Sequence, residues 1–152
     1  MNYSTITTLL VFFVFTAAAA ALGAIFQPGG WYQSLVKPSW TPPNWLFGPV
    51  WTLLYLMIAI AGWLVWREQG ISAVSALWAM QLLFNGAWSW IMFSQHQIGL
   101  AFADIVLLWG TIIVFAVLAW PVAPAASLLF VPYIIWVSYA GALNFTIWRL
   151  NG

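Results

Sequence analysis

The sequence predicts an all-α membrane protein: a compact bundle of five transmembrane helices in a single domain, residues 1–152, with a long ordered loop between the first two helices. Three observations carry that reading. Hydrophobic residues make up 65% of the chain and charged residues only 3%, against roughly 25% charged in a soluble domain. Five runs reach the roughly 20 apolar residues that a bilayer crossing requires. None of the five alternates in the manner of a β-barrel strand, so each must satisfy its own backbone as a helix.

The first span covers about 6–26 and ends in the small-residue run "AAAAALG". An apolar core followed by small residues resembles a signal peptide, but no Lys or Arg precedes it, and the segment reads as a retained helix. The loop, about 27–44, contains most of "WYQSLVKPSWTPPNW", which holds three tryptophans, three prolines and Lys37, one of only three basic residues in the chain. The second span, about 45–66, ends at "REQG", and the third, about 73–93, at "SQHQ". The fourth, about 99–120, ends at "PVAPA", and the fifth covers about 126–148. The short connections after the second, third and fourth spans predict antiparallel neighbours. Pro132 removes a helix hydrogen bond and is expected to bend the fifth span. Lys37 and Arg149 fall on one side of the bundle, and Arg67 falls on the other with the N-terminus. The positive-inside rule puts the Lys37 side in the cytoplasm.

Composition also excludes functions. A net charge of +1 provides no basic surface for nucleic acid. Without cysteine there is no disulfide, thiolate nucleophile or Cys-ligated metal. One histidine, His96, and two acids, Glu68 and Asp104, argue against a metal site. His96 sits in a predicted loop and makes a poor triad base.

Polar groups at membrane depth are costly, so their positions carry information. Gln81, Asn85, Trp88 and Ser89 share one face of the third span, which should point inward. Two readings are open for that face: hydrogen bonds between helices, or an amide presented to a ligand. Asp104, near the start of the fourth span, reads as a structural anchor to a neighbouring helix or loop. On the fifth span Trp136, Ala140 and Asn144 recur on one face, beside the small "AGA" at 140–142. Trp66, Trp120 and Trp148 lie at span ends, as interfacial tryptophans do. Trp51 and Trp136 lie deeper, where they either pack or wall a cavity for a flat apolar ligand.

The segment "WYQSLVKPSWTPPNWLFGPVWTLLY", with the later blocks "QLLFNGAWSWIMF", "LAFADIVLLWGT" and "FVPYIIWVSYAGALNFTIWRLN", resembles the tryptophan-rich sensory protein family. Animal members of that family are called translocator proteins or peripheral benzodiazepine receptors. The resemblance implies a five-helix protein of a bacterial-type cell envelope membrane, often a homodimer, needing no cofactor. It implies porphyrin ligands such as protoporphyrin IX and haem, along with isoquinoline- and benzodiazepine-like compounds. By matching position it implies a pocket at Trp51, Asn85, Trp136 and Ala140, capped by a stiff lid carrying Trp31 and Trp40. Lys37 then either anchors the lid or, like Arg149, meets porphyrin carboxylates. In some bacterial members the tryptophans matching Trp51 and Trp136 are associated with light-dependent porphyrin breakdown, which makes these two the catalytic candidates.

Two departures stand out. "QPGGWY" lacks the acid that several members carry before the W-Y pair. The cholesterol pattern of animal members is not met, because the first basic residue after Tyr139 is Arg149. Cholesterol binding is therefore unsupported. Three functions compete: a porphyrin-binding protein of transport, sensing or regulation; a photo-oxidative enzyme; and a structural or regulatory membrane subunit. A secondary transporter fits worst, since five spans do not divide into two inverted repeats.

Overall fold

The computed structural model describes residues 3–152. Among the described residues it is all-helical: α1 (Tyr3–Ile25), α2 (Gly30–Ser34), α3 (Asn44–Gln69), α4 (Ala73–Ser89), α5 (Ile98–Ala119) and α6 (Pro124–Asn151). A π-helical turn, Trp90–Ser94, continues α4 without a break. Four helices are long and apolar enough to cross a membrane: Thr5–Ile25 within α1, α3, α5 and α6. At 17 residues, α4 alone rises about 25 Å, short of the ~30 Å hydrocarbon layer.

The helix ends follow local chemistry. Gly70 closes α3 at φ 59°, its N–H donating to the Trp66 carbonyl at 2.8 Å, a left-handed end that glycine adopts without strain. Two residues later Ser72 caps α4. Its hydroxyl accepts from the Ser75 N–H at 3.2 Å, and the Ser75 hydroxyl accepts from the Ser72 N–H at 2.8 Å. Pro124 opens α6 in its first turn, where its missing N–H is not needed. At the end of α4 the π turn is set by Gln95 N–H donating to Trp90 O at 3.0 Å, and His96 ends it at φ 55°. α6 runs through Pro132 as one helix.

The long helices pack in a closed ring in the order α1, α3, α6, α5, α4, with α4 returning to α1. Although α3 and α4 are joined by a short turn, α1 packs against both and they meet less extensively with each other. Trp78 bridges them, its indole N–H donating to the Ile58 carbonyl at 2.8 Å. The exterior carries large apolar side chains such as Leu10, Val14, Leu83, Val117 and Ile135, a surface suited to hydrocarbon. Inside, the ring is solid at one end, around Ile58, Val65, Ile112, Phe115, Phe130 and Tyr133. At the other end, beneath the segment that joins α1 to α3, it is hollow.

Gly62 makes the Trp78 bridge fit. A β-carbon there would strike the Trp78 indole and come within 2.8 Å of the Phe12 ring. Overpacking of this kind costs about 1–3 kcal/mol. Gly62→Ala should therefore lower the thermal unfolding temperature in detergent, whereas Gly110→Ala, with nothing within 4 Å of the added carbon, should leave it within about a degree of wild type.

Candidate functional site

The hollow end encloses a chamber of about 570 Å³, inside the roughly 300–1,000 Å³ range of small-molecule sites. Small residues of α1 (Ala20, Gly23, Ala24) form one wall. They lie at helical spacing, so one strip of α1 presents little more than backbone to the space. The facing walls are aromatic, from Phe47 and Trp51 on α3, Trp88 and Phe93 after the middle of α4, and Trp136 on α6. Trp51 stacks on Tyr55 with ring centres 5.3 Å apart and meets Tyr133 edge-on at 6.2 Å. Trp136 is met edge-on by Phe47 at 5.6 Å. Its indole nitrogen is enclosed and has no protein partner.

A ladder of hydrogen bonds crosses the inner end of the chamber. The Tyr55 hydroxyl donates to Asn85 Oδ1 at 2.7 Å. Asn85 Nδ2 donates to the Tyr133 hydroxyl at 2.9 Å, and that hydroxyl donates to Gln81 Oε1 at 2.9 Å. Three helices, α3, α4 and α6, are thereby tied across the ring. A second tie lies nearer the mouth. Trp88 Nε1 donates to Asn144 Oδ1 at 2.9 Å, and Asn144 Nδ2 donates to the Ile98 carbonyl at 3.0 Å. It binds α4, α6 and the start of α5.

The connecting segment covers the mouth and is fastened at four places. The Lys37 ammonium donates to the carbonyls of Tyr32 (2.7 Å), Leu35 (3.0 Å) and Gln33 (3.2 Å), closing the C-terminal end of α2. Asn151 clasps Val36 from both sides: its Oδ1 accepts from the Val36 N–H and its Nδ2 donates to the Val36 carbonyl, each at 2.9 Å. The Tyr139 hydroxyl donates to the Trp40 carbonyl at 2.6 Å. Trp31 stacks on the His96 ring, centres 4.1 Å apart. From this segment Gln27, Pro28 and Tyr32 face the chamber. Tyr32 is buried, which pushes its phenol above the ordinary value.

Of the residues singled out in the sequence, Trp51, Asn85, Trp88, Ser89, Trp136, Ala140 and Asn144 all line this one chamber. Gln81 and Asp104 are buried outside that lining. Trp31, Lys37 and Trp40 do not line it either. The first two hold the cover in place, and Trp40 does so through its carbonyl. Both amide groups of Asn85 are occupied by tyrosines, so its first role is to tie helices. All three ammonium hydrogens of Lys37 have backbone acceptors. Asp104 has an enclosed oxygen with no hydrogen-bond partner, so the expected anchoring bond at that atom is not formed. Sequence reasoning missed Tyr55, Tyr133 and Tyr32. The signal for the first two was spacing: Tyr55 lies one turn after Trp51, and Tyr133 one turn before Trp136.

A sequence profile of the TspO/MBR family matches residues 10–149. Protein CrtK of Rhodobacter capsulatus is 45% identical over 151 residues, covering 96% of this chain and 94% of its own. Tryptophan-rich protein TspO of Chlorobaculum tepidum is 43% identical over 96% of this chain and 97% of its own. The human translocator protein is 39% identical over 80% of this chain and 75% of its own.

The fastenings of the cover are local, so they should be separable from the ring. Lys37→Met and Asn151→Leu should each raise amide hydrogen exchange across residues 31–37 by about tenfold or more, the loss of one or two hydrogen bonds. Exchange in the middle of α5 and α6 should stay at the wild-type level.

Proposed function

This chain belongs to the TspO/MBR family, and from that premise we propose that it binds porphyrins and similar flat aromatic ligands in the chamber under its cover, in tetrapyrrole transport, sensing or regulation. It is an integral membrane protein. In this reading α4 and its π turn together form a fifth span, and the segment between α1 and α3 acts as a stiff lid.

The observation that carries the proposal is the meeting of Trp51 and Trp136 on one chamber, with the Trp136 N–H enclosed and lacking a protein acceptor. A buried indole N–H wants a partner. A ligand carbonyl or ring nitrogen meeting it would supply one, while Trp51 and Phe47 offer faces and edges for stacking. Ala140 and Gly23 contribute no bulk where a planar ligand must slide past. Arg149 lies near the C-terminal end of α6, the end clasped to the lid by Asn151. It is the basic group available there for ligand carboxylates, since Lys37 is committed to the backbone.

Titration of the detergent-solubilised protein with protoporphyrin IX should quench tryptophan fluorescence saturably. The Trp51→Phe, Trp136→Phe double variant keeps the rings apolar but removes the indoles, and its affinity should fall about tenfold or more. Equal affinity in variant and wild type, with both folded, would sink the proposal.

A further inference from the structure

The ladder leaves two atoms over. Gln81 Nε2 and Asp104 Oδ2 are both enclosed without a hydrogen-bond partner, on side chains only 0% and 8% exposed. One is a donor and the other an acceptor. They belong to α4 and α5, which pack together, and both address Tyr133. Gln81 Oε1 accepts from its hydroxyl, and the Asp104 carboxyl acts electrostatically on the same phenol. A bridging water with the Tyr133 oxygen as its third neighbour would join them, the usual resolution for such a pair.

The ladder also has a direction. Tyr55 donates to Asn85, Asn85 to Tyr133 and Tyr133 to Gln81, so each donor points away from the chamber. Turning the two amides end for end would reverse the run. It would also aim the Gln81 oxygen toward the Asp104 carboxyl oxygen, leaving two acceptors together in a site poor in water, where unmatched polar groups are costly. Asp104 therefore sets the orientation of Gln81, and each rung sets the next.

The far end of this run is in the chamber wall. Tyr55 lines it, and its hydroxyl reaches the α1 side, where a methyl built on Gly23 would stand 3.9 Å away. The single proton of that hydroxyl is already given to Asn85. What remains toward the chamber is lone pairs. Ser89 Oγ stands by the same glycine at 3.7 Å, but a serine hydroxyl on a free rotor accepts or donates and imposes no sign.

We infer that Asp104, acting through Gln81, Tyr133 and Asn85, makes the Tyr55 oxygen an acceptor, so the chamber selects flat aromatic ligands carrying an O–H or N–H donor at that edge. Asp104 is a positioning residue and Tyr55 the residue that sets specificity. The inference rests on the chamber being a ligand site.

The test uses two probes of equal ring size that differ in one donor: 2-naphthol and its methyl ether, 2-methoxynaphthalene. Affinities come from displacement of protoporphyrin IX fluorescence quenching, corrected for partition into detergent. Wild type should favour 2-naphthol by about tenfold. In Tyr55→Phe that preference should disappear. In Asp104→Asn it should fall several-fold, because a carboxamide presents either a donor or an acceptor to Gln81. Gln81→Met, which severs Asp104 from Tyr133 at similar volume, should show the same fall and decides the matter where Asp104→Asn does not fold. A wild-type preference near one, or one that survives Tyr55→Phe, overturns the inference while protoporphyrin IX binding still stands. A preference untouched by both Asp104→Asn and Gln81→Met removes Asp104 from it. Failure of protoporphyrin IX itself to quench overturns the chamber as a porphyrin site, and this inference with it.

Discussion

Hydrocarbon offers no partner to a hydroxyl or an amide, so polar side chains drawn into this ring must satisfy one another. Tyr55, Asn85, Tyr133 and Gln81 do so in a single run that crosses from α3 through α4 to α6 and back to α4. Each rung is worth perhaps no more than any interhelical bond in a membrane, about 0.6–2 kcal/mol. Breaking one rung, however, strands the next polar group where water cannot reach it, and that penalty fixes which helices face which. The ring order α1, α3, α6, α5, α4 has this ladder at its centre.

The ladder also marks where the interior changes character. On one side the ring fills with Phe115, Phe130, Ile112 and Val65, with Phe115 and Phe130 in contact at 4.1 Å between ring centres. On the other side the same five helices enclose the chamber. The difference comes from side-chain size on α1 and α6. Ala20, Gly23 and Ala24 stand back from the axis, and so does Ala140 between Trp136 and Asn144. Rigid aromatic walls then keep the space from collapsing. Trp51, Trp136 and Trp88 are each braced by a neighbouring ring, so closing the chamber would mean moving several stacked groups at once.

The spans were legible because hydropathy is a one-dimensional signal: α3, α5 and α6 begin and end within a few residues of where apolar runs begin and end. The inward face of α4 was legible for the same reason, since Gln81, Asn85, Trp88 and Ser89 cannot all face lipid. The partners of those residues were not. That Asn85 meets tyrosines of α3 and α6 depends on the order of helices around the ring, and short connections misled there: α3 and α4 are consecutive, yet α1 packs against both. Asn151 was invisible for a related reason. A polar residue at a chain end looks solvated, and only the fold brings it across to Val36.

The segment over the chamber shows how few charges such a protein needs. A lysine between tryptophans and prolines looks, in sequence, like a ligand contact. In the structure its ammonium gathers the carbonyls of Tyr32, Gln33 and Leu35 while lying 4.9 Å from the Tyr32 ring centre. A five-residue helix is too short to hold itself together in isolation. A cation at its C-terminal end, where carbonyls lack partners, supplies what length does not. Pro38, Pro42 and Pro43 shrink the freedom of the unfolded segment, and the Asn151 clasp fixes its register against α6. Tyr32 is thus held facing inward by bonds that lie outside the chamber. A cover built this way keeps its shape without drawing on the polar groups below it, which leaves the Trp136 N–H and the Tyr55 oxygen free to answer to whatever occupies the space.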